Sequence, residues 1–203
     1  IKTLKLKPQE PLTFDAGQFI ELTVPGVGEA PFTPSSDPMV KDGIEISVMR
    51  VGKVTEKIHS LKKGDTVGLR GPFGSKYPMD QFKDKEVLIV GGGCGLAPIR
   101  SLIYECFNHI DDFKKVLFRG GCRNPKEFLY FQEIQEWIQR GGIDIGLTVD
   151  EVDNDNGWKG SVGVVTTILE DLGIDCASSI AVVCGPPIMM RFAVIKLLKL
   201  GFV

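Results

Sequence analysis

The chain has 203 residues, 25% of them charged and 43% apolar, with a formal charge of −2 at pH 7. That balance belongs to a folded chain and excludes general disorder; the absence of a Lys/Arg block leaves no electrostatic footprint for nucleic acid. The longest uncharged apolar stretch, Val87 to Ile99, is broken by glycine and proline, and a bilayer span needs about 20 mainly apolar residues, so no membrane partner is expected.

Short alternating runs open the chain: Phe19 to Val24, Ile44 to Val48 and Thr66 to Leu69. Turn signals separate them at Pro25-Gly26, Lys41-Asp42-Gly43, Lys63-Gly64-Asp65 and Gly71-Pro72. This pattern predicts an antiparallel barrel or sandwich, interrupted by one short helix from Thr55 to Leu61. From Lys85 the rhythm changes. Val87–Val90 reads as a strand buried on both faces, and Ile99, Leu102, Ile103, Cys106, Phe107 and Ile110 follow helical periodicity. Val116–Phe118 is the next strand. Asn124-Pro125 then predicts a helix start and Gly141-Gly142 its end. Ile143–Val149 and Ile180–Val183 read as strands, Val164–Leu172 and Ile188–Leu200 as helices. Repeated β-α units imply a doubly wound parallel sheet with helices on both faces. The expected division is an antiparallel β domain over residues 1–82 and an α/β domain over 83–203. A start at Ile1 and an end inside the apolar phrase Leu200-Gly201-Phe202-Val203 suggest a piece of something longer.

Cysteines 94, 106, 122, 176 and 184 are scattered without a CxxC pair, so no zinc or iron–sulfur set is readable. Reduced thiols of a cytoplasmic protein are the expectation. His59 and His109 are isolated and read as surface or core residues. Glu151 to Gly157 resembles a calcium loop, but Asn156 occupies the glycine position and no closing Glu follows; a solvated loop is the reading.

Glycine is the outlier, with 24 residues, and backbone that must approach a ligand closely is one reason for such use. Gly91-Gly92-Gly93-Cys94-Gly95-Leu96-Ala97-Pro98 lies between a buried strand and a helix, where N–H groups and the helix dipole favour an anion. A tight strand–helix turn is the other reading, and GxGxxG itself fails there. Cys184-Gly185-Pro186-Pro187 ends a later strand, at the edge where open α/β sheets bind ligands; its cysteine either faces a cleft or is a buried structural residue. In the first domain, Ala30-Pro31-Phe32-Thr33-Pro34-Ser35-Ser36 joins two strands and offers an aromatic ring beside three hydroxyls, and Gly52-Lys53-Val54-Thr55 precedes the short helix.

These stretches, in this order, resemble the ferredoxin–NADP reductase superfamily over nearly the whole chain. The resemblance implies a flavin-binding β-barrel followed by an NAD(P)-binding domain, with hydride passing where the two cofactors meet. Pro31, Phe32, Thr33, Ser35 and Ser36 then fall at the flavin, with Phe32 against the isoalloxazine and Thr33 near N5. Gly52, Lys53, Val54 and Thr55 fall at its phosphates. Ala30 stands where the family motif has arginine. Gly91 to Pro98 match the Gly-Gly-x-x-Gly-x-x-Pro pyrophosphate loop, which puts Gly92, Gly93, Cys94, Gly95, Leu96, Ala97 and Pro98 at the NAD(P) phosphates. Arg123 falls near the adenosine ribose, and Cys184, Gly185 and Pro186 near the nicotinamide, with Cys184 and Thr33 at the reacting atoms. Within the superfamily, Val24 to Phe32 and Trp158 to Gly163 look most like gamma-type subunits of sulfhydrogenases and anaerobic sulfite reductases, with the electron-transfer subunit of dihydroorotate dehydrogenase a relative. This implies FAD, NAD(P)H, a [2Fe–2S] cluster in residues beyond this chain or on a partner, and redox partner subunits such as an iron–sulfur protein, a hydrogenase or a reductase. NADH and NADPH stay undecided. A docking subunit that keeps the fold without redox chemistry is the alternative, and Ala30 keeps it open.

Overall fold

The computed structural model describes residues 1–152 and 157–203, so the calcium-like stretch lies largely outside the described residues. The chain divides into two compact units, Ile1–Tyr77 with Ala97–Glu105, and Pro78–Leu96 with Cys106–Val203.

The first unit contains β1 (Lys2–Leu6), β2 (Phe19–Val24), β3 (Gly28–Phe32), β4 (Ile44–Val48), α1 (Lys53–Ser60) and β5 (Gly68–Phe73). Its strands form two antiparallel sheets, β3-β2-β5 and β1-β4. Alternation decides which way each strand faces: Ile20, Leu22 and Val24 of β2 and Ile44, Ile46 and Val48 of β4 point into one core with Phe14 and Ile58. Each such aliphatic side chain contributes about 1.5–3 kcal/mol on burial. β3 occupies residues expected to be partly a connection. Its Phe32 pairs with Ile20 and its Pro31 with Glu21; Pro31 is tolerated because β3 is an edge strand, where the missing N–H breaks no ladder.

The second unit runs through α2 (Met79–Phe82), β6 (Glu86–Gly92), α3 (Leu96–Asn108, whose middle clusters with the first unit), β7 (Lys115–Cys122), α4 (Phe131–Arg140), β8 (Ile143–Val149), β9 (Ser161–Val162), β10 (Ile180–Cys184) and α5 (Pro187–Lys199). Its sheet is parallel throughout, in the order β10-β6-β7-β8-β9. Val87, Leu88, Ile89 and Val90 are wholly buried, as continuous apolar strands between two covered faces should be. One face carries Leu88, Val90 and Leu117 against Val165, Leu169, Ala193 and Leu197. On α3 and α4, the rings of Phe107 and Trp137 meet at 5.9 Å.

Two helices expected from the sequence differ. Asn124 caps only a 3-10 turn over Pro125–Glu127, accepting from the Lys126 N–H at 3.1 Å, and α4 starts afresh after the left-handed Tyr130. The break carries Phe128 into the core, where it is 6% exposed. The helix expected over Val164–Leu172 is a 3-10 stretch, Val165–Leu169, with non-helical backbone at Ile168. Left-handed Asp171 and Gly173 then keep the chain from continuing as a helix.

Candidate functional site

In the second unit the chain proceeds outward from β6 through β7 and β8 to β9, then returns to place β10 on the other side of β6. Strand order therefore reverses at the β6–β10 pair, the position where doubly wound sheets bind ligands beyond their carboxyl ends. Both glycine-bearing stretches sit there. Gly91 is the Cα partner of Cys184, so the loop from Gly92 to Pro98 and the segment Cys184–Pro186 leave the sheet side by side.

The loop's sequence follows from crowding. A Cβ on Gly95 would lie 2.5 Å from the Cys184 carbonyl oxygen and from the backbone of Gly185, while one on Gly92 would collide with the Met189 sulfur. Gly93 takes a left-handed φ of 53° and opens a 3-10 turn through Gly95 into α3. No side chain caps that start, so its N–H groups and the positive end of the 13-residue helix suit an anion. Leu96 and Ala97 are buried, whereas Cys94 is exposed. Burial pushes the Cys184 thiol up, and neighbouring Cys94 adds to the shift, so Cys184 is a neutral thiol at neutral pH. That suits packing against a planar ring rather than nucleophilic attack. Burial also pushes Cys122 up, to about 12, and its thiol donates to the Asn124 carbonyl at 3.0 Å. Arg123, just past β7, is exposed and lies 3.5 Å from the Glu151 carboxylate.

In the first unit, Phe32 ends β3 half-buried and Thr33 follows it. Ser35 and Ser36 are buried against β4: Ser35 donates its N–H (2.7 Å) and hydroxyl (3.3 Å) to the Glu45 carbonyl, and the Ser36 hydroxyl accepts from the Glu45 N–H at 3.0 Å. These two hydroxyls hold the chain to β4. Gly52 precedes α1 with extended backbone and nothing within 4 Å of where a Cβ would stand. Neither packing nor backbone angle demands glycine, so what glycine leaves is open space over the helix start. Thr55 braces that start, its hydroxyl accepting from the Val51 and Gly52 N–H groups and donating to the Gly52 carbonyl, each at 2.9 Å. The ring of His59 is engaged by the Val48 carbonyl at 2.8 Å, a structural role. Sequence reasoning passed over Arg50, an exposed cation two residues before Gly52, and the contact by which Met189, a residue read as core and packed on it, fills the space above Gly92 and Gly185. The cation beside Gly-Lys-Val-Thr was a usable signal for the first; the methionine contact was not readable.

The first unit's residues 1–77 match the family model described as oxidoreductase FAD-binding domain, and residues 89–194 match the oxidoreductase NAD-binding domain. The chain belongs to the ferredoxin–NADP reductase superfamily. Among relatives in this superfamily, sulfhydrogenase 1 subunit gamma of Pyrococcus furiosus is 31% identical over 95% of this chain and 66% of its own length. A probable dihydroorotate dehydrogenase B (NAD(+)) electron transfer subunit of Methanocaldococcus jannaschii is 33% identical over 88% of this chain and 61% of its own. The chain thus spans less than two thirds of either. Among solved structures, a ferredoxin NADP+ reductase from Neisseria gonorrhoeae with bound FAD and NADP superposes with a TM-score of 0.81 at 20% identity, covering 99% of this chain and 85% of that one. At that identity the likeness speaks to the superfamily fold.

Proposed function

We propose that the chain is the NAD(P)H-oxidising, FAD-holding electron-transfer subunit of a larger redox complex, passing electrons to an iron–sulfur partner. The observation that carries this reading is the pair of main-chain cradles at the β6–β10 reversal, Gly92–Pro98 and Cys184–Pro186, in a chain whose other unit offers a second open helix start at Gly52.

The open space at Gly52 and the N-terminus of α1 fit a dinucleotide pyrophosphate. Lys53 and Arg50, both exposed, supply the cations that Ala30 does not. Phe32 would support the isoalloxazine and Thr33 would meet its polar edge. Bound FAD supplies the conversion of a two-electron hydride donor into single electrons. In the second unit, Gly92 to Pro98 would hold the NAD(P)H pyrophosphate, and the neutral Cys184 thiol would pack against the nicotinamide. Placement within about 3–3.5 Å is what such a transfer requires, and no acid–base pair is needed. Among the described residues no three Cys, His, Asp or Glu side chains are grouped to hold a metal; in this reading the iron–sulfur cluster belongs to the partner. No helix among the described residues is long and apolar enough to cross a membrane, and five free thiols fit a reducing cytoplasm.

The test is the visible spectrum of the purified chain with FAD, followed by anaerobic addition of NADH or NADPH. Retained yellow flavin that bleaches on addition supports the proposal. Ala30 favours the docking-subunit alternative, and a colourless preparation that takes up no FAD would establish that alternative instead.

A further inference from the structure

We infer that Cys94 and Cys184 are a redox-sensitive pair, and that a disulfide between them closes the dinucleotide cradle of the second unit. The closure rests on the NAD(P)H reading above; the bond itself does not. Both thiols are free, Cys94 exposed and Cys184 half-buried. They lie on the two segments that leave the sheet side by side, where Gly91 is the Cα partner of Cys184. Those segments touch on either side of Cys94. A Cβ on Gly95 would come within 2.5 Å of the Cys184 oxygen and of Gly185, and one on Gly93 would meet the Pro186 ring at 3.9 Å. The Cys184 thiol, pushed up first by burial, is pushed up further by the charge Cys94 can carry, an effect that needs the two sulfurs near each other. A disulfide needs Cα atoms about 4.4–6.8 Å apart, which the contacts on both flanks of Cys94 bring within reach. The other thiols are placed differently: Cys106 and Cys122 are buried, and Cys176 precedes β10 at the opposite end of that strand.

Position 94 is one that the Gly-Gly-x-x-Gly-x-x-Pro pattern leaves free, so the thiol there is this chain's own addition to the loop. The oxidant is a peroxide. Exposed Cys94 reacts first: its sulfur takes one oxygen, the O–O bond breaks, water leaves, and a sulfenic acid stands at Cys94. Cys184, held neutral, is a poor target for peroxide itself and acts only once that sulfenic acid stands beside it. Its sulfur then attacks the Cys94 sulfur, the S–O bond breaks, and the hydroxyl departs with the Cys184 proton as a second water. Two thiols give up two electrons, and the peroxide is reduced to two waters. The new bond would tie the loop whose N–H groups suit a pyrophosphate to the strand end assigned to the nicotinamide. Dinucleotide would be shut out of the second unit while flavin in the first stays bound. Exchange with a free thiol at exposed Cys94 restores both sulfhydryls, so the lock is reversible.

The experiment treats the reduced, FAD-treated chain with stoichiometric hydrogen peroxide, alkylates the remaining thiols, and maps peptides by mass spectrometry without reductant. The expected result is an intact mass lower by two hydrogens and a linked peptide pair holding residues 94 and 184, both reversed by dithiothreitol. Cys94→Ser and Cys184→Ser should each abolish the linked pair, whereas Cys176→Ser should keep it. In the oxidised protein the yellow colour should remain, while bleaching by NADH or NADPH should fall about tenfold when about one tenth of the chain stays reduced, since only the competent fraction binds. Dithiothreitol should restore it. Cys94 carried on to a sulfinic acid, joined to a second copy, or joined to a thiol other than Cys184 overturns the pair and leaves the NAD(P)H reading standing. A linked pair with bleaching undiminished overturns the closure. Reduced chain that neither NADH nor NADPH bleaches overturns the NAD(P)H reading itself, with the mass map still deciding the bond.

Discussion

Two glycine-to-alanine substitutions separate glycine required by the fold from glycine required by a ligand. At Gly95 the added methyl would sit 2.5 Å from the Cys184 oxygen and from Gly185 N and Cα, nearly an ångström inside ordinary contact. All three are backbone atoms at the end of β10, so no side chain can rotate away. Overpacking of this kind costs about 1–3 kcal/mol, and a site ringed by main chain belongs at the upper end. Reduced entropy of the unfolded chain returns about 0.4–1 kcal/mol. The net loss is about 2 kcal/mol, or roughly 4–8 °C in Tm for a chain of this size. Both tryptophans, Trp137 and Trp158, lie in the second unit, so thermal unfolding followed by indole emission reads that unit directly. Gly52→Ala should behave oppositely. With extended backbone and nothing within 4 Å, it should leave stability within about 0.5 kcal/mol of the unaltered protein. Its FAD affinity should nevertheless fall about tenfold, as a methyl enters the space assigned to the pyrophosphate. A Gly95→Ala protein that melts with the unaltered chain would refute the crowding argument. A Gly52→Ala protein that takes up FAD normally would refute the cradle at α1.

Thr55→Val keeps the shape of the residue and removes all three bonds that brace the start of α1; the expected loss is about 1 kcal/mol, read from urea denaturation of the first unit by circular dichroism. Asp144→Ala takes the carboxylate from Arg119, a guanidinium buried in β7 that then keeps, among the described residues, the Phe118 and Asp144 carbonyls. A loss of about 1–3 kcal/mol in the emission-detected urea midpoint is expected, and an unchanged midpoint would show the carboxylate to be dispensable. Among the thiols, exposed Cys94 should react first with a disulfide reagent at neutral pH and buried Cys122 should stay protected until unfolding, as mass-mapped labelling would show. Because the folded Cys122 pKa is raised to about 12, its neutral form is favoured in the native state. That stabilisation is complete below the ordinary thiol pKa and is lost as pH rises from about 9 to about 12, so Cys122→Ala should flatten alkaline unfolding over that interval.

The parallel sheet was legible because β6 is a continuous apolar run buried on both faces and β10 is a second such run, half-buried at the edge of the sheet. The loop after β6 was legible for a related reason, since close approach of two backbones leaves glycine in the sequence at 95. What escaped was decided by contacts distant in sequence. β3 falls partly in the stretch read as joining two strands, and its place at a sheet edge is what makes Pro31 harmless there. Asn124-Pro125 carries sound capping chemistry, yet burial of Phe128 ends the turn after Glu127. Ser35 and Ser36 show the limit at the candidate site. A hydroxyl offered to a ligand and a hydroxyl spent on the Glu45 backbone look identical in one dimension.

Where β6 and β7 run out, Gly91 faces Gly120 and Gly92 faces Gly121, with Gly185 just past the neighbouring β10. The strand ends here are consequently peptide plane, buried in part beneath the Met189 side chain that covers Gly92 and Gly185. Alanine scanning, which works by deletion, would pass over them and report a protein whose recognition resides elsewhere. Adding methyls would not repair the omission, since one at Gly92 or Gly185 would meet Met189, and one at Gly121 would meet Val165, before it met a cofactor.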